Sequence, residues 1–220
     1  MTESSLTTRD KILQAAIDIF ARNGFKSATI RKIAIAAQVN IAAINYHFRD
    51  KQRLYTEVLE YVFQTAFNRF PPRLHIDETA QPEMQLRGFI RAMFSRLLSR
   101  EGLAGKGEYG KLIARELLEP TPALEAVLNR FMRPQRDLLL SILAAILKTK
   151  PDNPVLLSCT VSIIAQCVYY ALAGSVIRRM TYDQILDEDN LDNLAEFVWT
   201  FSLGGLENLQ RSLKPQLTAD

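Results

Sequence analysis

Residues Ala28–Lys51 read ATIRKIAIAAQVNIAAINYHFRDK. Thr29 is placed to cap a short helix, its hydroxyl accepting a backbone N–H left free in the first turn. Ile30, Ile33, Ala34 and Ala37 follow at the i, i+3, i+4, i+7 spacing of one apolar helix face. Arg31 and Lys32 fall on the other side. Gln38-Val39-Asn40 is the turn, with Val39 expected to plug the gap between two helices. Asn40 can cap a second helix over Ile41–Phe48, in which Ile41, Ile44 and Phe48 face inward. Ala42, Ala43, Asn45, Tyr46 and His47 then face out.

Two short helices joined by a tight turn are an economical way to lay one helix in a DNA major groove. The outward residues suit that use. Asn can bond bidentately to adenine, and alanine methyls can touch thymine methyls. Tyr46 and His47 suit phosphate oxygens, as do Arg31 and Lys32. Lys51 opens the next helix, where its charge and the helix N-terminus both favour a phosphate. The expected DNA contacts are Thr29, Arg31, Lys32, Asn40, Ala42, Ala43, Asn45, Tyr46, His47 and Lys51.

Charge supports this placement. The 220-residue chain carries a net charge of only +3. Residues 1–55 hold nine basic and four acidic side chains, and the remainder holds 18 basic and 20 acidic. The positive excess therefore sits around the two short helices, as phosphate binding requires.

The order of residue types resembles the DNA-binding region of the TetR family of transcriptional regulators. The shared elements are Ile12-Leu13-Ala15-Ala16, Phe20, Gly24-Phe25, Ala28-Thr29, Arg31-Lys32-Ile33-Ala34, Ala37, Val39, Tyr46-His47-Phe48, Lys51 and Leu54. The sequence departs from the family where Gln38 replaces a common Gly, Asn45 a common Tyr, and Ile30 a common Thr. Gln38 implies a regular helix end or mild strain. The stretch NIAAINYHF is closer to the CecR-like branch, and Leu112–Pro134, LIARELLEPTPALEAVLNRFMRP, resembles the C-terminal domain of that branch.

The resemblance implies an all-α chain, with a helix-turn-helix domain over residues 1–52 and a helical ligand-binding and dimerisation domain over 53–220. It implies a homodimer on a pseudo-palindromic DNA operator, released by a small-molecule inducer, and acting as a repressor. A regulator without a ligand, constitutive or governed by a protein partner, is the alternative. The family's inducer cavity lies among its middle helices. Phe94, Arg115, Phe131, Gln166, Tyr169, Tyr170 and Trp199 combine aromatic walls with a few polar groups and are the candidate lining.

Helical patterns run along the rest of the chain. Gly24 is a stop signal for a helix from Thr8 to Asn23. Further helices are expected over Lys51–Phe70, Pro82–Ser99, Glu108–Leu118, Pro122–Leu147 (kinked or split at Pro134), Pro154–Met180 and Asn190–Leu213. Glu101–Gly107 reads as a flexible connection, because Lys106 lacks the Gly and Ser/Thr spacing of a phosphate-binding loop. Val155–Ile177 carries no charge over 23 residues, about 34 Å of helix. That length could cross a bilayer, but Ser158, Thr160, Ser162, Gln166 and Ser175 fit a buried dimer helix better. Its partner would be the stripe Leu191, Leu194, Phe197, Val198, Phe201, Leu206 and Leu209. Gly204-Gly205 implies close packing against another helix.

Cys159 and Cys167 stand too far apart on one helix to pair and read as buried thiols in a reducing cytoplasm. The N-terminal MTESSLTTRDK lacks a signal-peptide core. The two histidines, His47 and His75, lie in separate elements, no spacing suits zinc, and no nucleophile elbow or dinucleotide-binding glycine pattern occurs. Enzymatic function, a metal site and a cofactor are therefore not expected.

Overall fold

The computed structural model describes residues 7–103, 107–180, 186 and 188–213. The connections expected at Glu101–Gly107 and Thr181–Asp189, and the N-terminal stretch MTESSLTTRDK, lie partly outside the described residues. Among the described residues every element is helical. The helices are α1 (Thr8–Ser27), α2 (Ile30–Ala37), α3 (Ile41–Phe48), α4 (Lys51–Arg69), α5 (Pro82–Leu98) and α6 (Glu108–Leu118). They continue as α7 (Leu124–Val127), a π-helical turn (Leu128–Met132), α8 (Arg133–Leu147), α9 (Pro154–Leu172), α10 (Gly174–Met180) and α11 (Leu191–Leu213).

The chain divides into two compact units, one within residues 1–65 and 106–131, the other within 66–105 and 132–220. In the first unit α1 starts from a capping box. The Thr7 hydroxyl accepts from the Asp10 amide, and the Asp10 carboxylate accepts from the Thr7 amide. Ile12, Leu13, Ala16, Ile17 and Phe20 of α1 are buried with Ile33, Ile44, Phe48, Leu54, Tyr55 and Val58. α1 also packs on α6, so this unit includes far more than the helix-turn-helix.

Gly24 stops the regular helix begun at Thr8, as expected. It breaks the helix at φ 72° and ψ 169°, and a last turn follows to Ser27. That backbone region is open essentially to glycine alone. A Cβ there would also lie 2.5 Å from the Arg115 guanidinium. Arg115 therefore packs against a gap that only glycine leaves.

In the same unit the Glu116 side chain is 2% exposed. Its carboxylate accepts from the Tyr55 hydroxyl at 2.8 Å, and from the Thr121 amide and hydroxyl at 2.8 and 2.9 Å. Burial, then this carboxylate, raises the Tyr55 pKa above the usual phenol range. The Tyr55 ring completes a cluster with Phe20 and Phe25, at centroid distances of 4.8 and 5.0 Å.

The second unit is built around α5, which packs on α8, α9 and α11. Its core holds Leu86, Phe89, Phe94, Leu139, Leu143, Ile163, Cys167, Leu194 and Val198. Cys159 and Cys167 are buried free thiols. Pro134 shapes α8 as expected, but the helix widens instead of snapping. Proline has no N–H for the i−4 carbonyl and its ring crowds that group, and the turn before it becomes π-helical. The segment expected as one helix over Pro154–Met180 breaks at Ala173 into α9 and α10.

α9 is the one described helix long and apolar enough to cross a membrane by composition, with a mean hydropathy of 1.8. One face of it packs into the unit through Leu156, Cys159, Ile163 and Cys167, while Leu157, Val161, Tyr169 and Leu172 are exposed. α11 is divided in the same way. Leu191, Leu194, Val198 and Leu206 face their own chain, against the expectation that they join one interface stripe. Phe197 and Phe201 are exposed and stack at 6.4 Å. Gly204 and Gly205 face open space, so the close helix contact expected there is not made among the described residues.

Candidate nucleic-acid interface

Both short helices are held by the expected caps. The Thr29 hydroxyl accepts from the Lys32 amide, and the Asn40 side-chain oxygen accepts from the Ala43 amide, each at 3.2 Å. Each cap uses the acceptor only. The Thr29 O–H and the Asn40 NH2 stay available as donors to a phosphate.

Gln38 sits at φ 55° and ψ 43°. Its amide donates to Ile35 and that of Val39 to Ala34, the paired bonds of a Schellman helix end. The turn thus keeps the left-handed conformation that glycine supplies elsewhere in the family, now at the cost of a side chain. The mild-strain expectation describes it; the regular helix end does not.

Ile44 and Phe48 anchor α3 in the core, but Ile41 is 44% exposed and does not face inward. As the first residue of the helix it projects beside Ala42 and Asn45. Tyr46 is 83% exposed, with the half-buried His47 ring edge-on to it at 5.2 Å. Arg31 and Lys32 are exposed on α2. The structure therefore brings nine of the ten expected contact residues onto α2, α3 and their caps.

Lys51 is the exception. Its ammonium donates to the carbonyls of Phe25, Lys26 and Ala28 at 3.0, 3.4 and 3.1 Å, and lies 4.5 Å from the Phe25 ring centroid. The cation closes the C-terminal end of α1, where carbonyls lack intrahelical partners. The N-terminus of α4 is served by Asp50, which accepts from the Arg53 amide at 2.8 Å. Lys51→Met should therefore cost about 1–3 kcal/mol of stability and leave the salt dependence of DNA binding unchanged. Denaturation and a salt titration of binding check this; a slope reduced by about 1 would restore a phosphate contact.

Arg49, which the sequence reading did not single out, is exposed between α3 and α4. It adopts φ 66° and ψ −57°, and the Asp50 amide donates to the Phe48 carbonyl across it at 2.8 Å. This is a positive-φ γ-turn, a rare and strained connection for a non-glycine residue. Only its charge beside Phe48 hinted at a place on this surface.

The expected ligand-lining residues do not form one cluster within either unit. Arg115 and Phe131 belong to the first unit, one beside Gly24 and the other stacked on Phe63 at 5.7 Å. In the second unit Phe94 is buried against Tyr170 at 5.7 Å. Gln166 donates to Ser202, the Trp199 indole N–H donates to the Glu83 carbonyl, and Tyr169 is exposed.

Family comparison agrees with this architecture. Residues 12–58 match the bacterial regulatory protein, tetR family model, and residues 82–206 match the C-terminal domain model of the HTH-type transcriptional dual regulator CecR. CecR of Shigella flexneri is 27% identical over 209 residues, covering 90% of this chain and 91% of that protein. The transcriptional repressors NicS of Pseudomonas putida and KstR2 of Mycolicibacterium smegmatis match at 37% and 33% identity, over only 38% and 44% of their own length. A putative transcriptional regulator from Pseudomonas aeruginosa PAO1 superposes with a TM-score of 0.70 at 21% identity, over 95% of this chain and 96% of that one. FadR from Bacillus subtilis, solved in complex with stearoyl-CoA, gives 0.63 at 20% identity, over 89% of this chain and 97% of that one. The second family model alone spans more than half of the sequence, and the chain belongs to the TetR family of bacterial transcriptional regulators, with a CecR-type C-terminal domain.

Proposed function

We propose that the protein is a homodimeric, ligand-responsive transcriptional repressor that binds a pseudo-palindromic operator. One observation carries this reading. The capped helix α3 turns Ala42, Asn45 and Tyr46 to solvent, while Ile44 and Phe48 fix it to the core. One such helix reads one half-site, and twofold symmetry then requires two. Thr29, Arg31, Lys32, Asn40 and His47 flank it as phosphate and groove contacts, and Lys51 positions it through α1.

The homodimer is supported by the exposed apolar faces of α9 and α11. Leu157, Val161, Phe197 and Phe201 lie uncovered on this chain, and Gly204-Gly205 would admit a second copy closely. Burial there contributes about 25 cal/mol per Å² before association costs. A small-molecule effector is supported by the FadR neighbour, which holds stearoyl-CoA. Its free energy of action can come only from unequal affinity for two conformations.

Asn45→Ala decides the reading role. Binding-site selection should show relaxed preference at one operator position, worth about 1–3 kcal/mol if Asn45 reads an adenine. A uniform loss across all positions would refute it.

A further inference from the structure

Arg96 of α5 is 2% exposed in the second unit. Other arginines of the same helix are paired at the surface, Arg87 with Glu196 and Arg91 with Asp192. Arg96 has no carboxylate partner among the described residues. One N–H donates to the Phe70 carbonyl at 2.6 Å, another to the Gln135 side-chain oxygen, and the guanidinium lies 4.2 Å from the Phe67 ring centroid. Two neutral acceptors and a ring face hold the cation, and none neutralises it. Three of its five N–H groups remain.

The surroundings are apolar. Burial lowers the Arg96 pKa to about 10 and pushes the neighbouring Cys167 thiol up to about 12. Cys167 and Tyr170 lie one turn apart on α9, and Tyr170 packs on Phe94. A buried charge without a counter-charge is costly, and arginine's planar fork matches a carboxylate or phosphate in two bonds.

We infer that Arg96 is the anchor for the anionic group of an amphiphilic ligand whose apolar part lies against the aromatic side chains around it. The inference deepens the ligand-responsive reading and rests on it. Gln135 is half-buried, so Gln135→Glu places an internal carboxylate on the guanidinium with little risk to the fold. Arg96→Lys keeps the charge but loses the fork, and Arg96→Met removes both.

The probes are straight-chain carboxylates of six to sixteen carbons and the matching primary alcohols, titrated calorimetrically into the full chain. Carboxylates should bind the wild type, and Gln135→Glu should weaken them roughly 10- to 100-fold while leaving the alcohols unchanged. Arg96→Met should do the same, and Arg96→Lys should fall between. Carboxylates that do not bind, or that bind Gln135→Glu and the wild type alike, overturn the site and leave Arg96 a structural clamp on the Phe70 carbonyl. Operator release, read by fluorescence anisotropy, separates the two claims. Binding at Arg96 without release sinks ligand response alone. Release that persists in Gln135→Glu sinks this site alone.

Discussion

Glu116→Ala should lower the stability of the chain by about 3 kcal/mol, measured as a shifted guanidinium midpoint. The substitution removes the only charge in a buried set of hydrogen bonds and strands three donors, the Tyr55 hydroxyl and the Thr121 amide and hydroxyl. Most of the loss is the cost of those stranded donors, and a second substitution exposes it. Tyr55→Phe alone should destabilise by about 1 kcal/mol. In the Glu116→Ala background it should cost almost nothing, because it removes a hydroxyl that no longer has a partner. The coupling between the two should exceed about 0.5 kcal/mol. Strictly additive effects would show that the network contributes through packing alone.

Phe201→Glu should give a folded monomer whose operator affinity falls at least about 100-fold, the loss expected when two linked half-site contacts become independent. The residue is 67% exposed on its own chain, so the added carboxylate meets water in the monomer and would be desolvated only in the proposed dimer. Leu194→Asp provides the contrast. Leu194 faces the core against α5, and a charge there should unfold the unit, not divide a dimer. Sedimentation and circular dichroism distinguish the outcomes. A Phe201→Glu protein that sediments as a dimer would move the interface elsewhere.

The helix-turn-helix was legible because its determinants are local. Thr29 and Asn40 cap helices that begin one residue later, and the apolar spacing of Ile33, Ala34, Ala37, Ile44 and Phe48 matches the burial found. Ile41 was misplaced because eight residues give too few turns to define a face at the first position. The internal contacts of Lys51 were hidden for a different reason. Its acceptors lie 23 to 26 residues away in sequence, and no local pattern joins an ammonium to a helix end across two intervening helices. The same limit hid which unit each expected ligand residue belongs to. α6 joins α1, which places Arg115 in the first unit. α11 is apolar on two sides, and composition does not say which side faces its own chain.

α3 separates its tasks by face. Ile44 and Phe48 hold it in place, whereas Ala42, Asn45 and Tyr46 contribute almost nothing to folding because they touch water. Exposed substitutions of that kind shift stability by roughly 0.5 kcal/mol or less. On the proposed reading, the DNA address can therefore drift in evolution, or be rewritten by design, while the scaffold that presents it keeps nearly all of its stability.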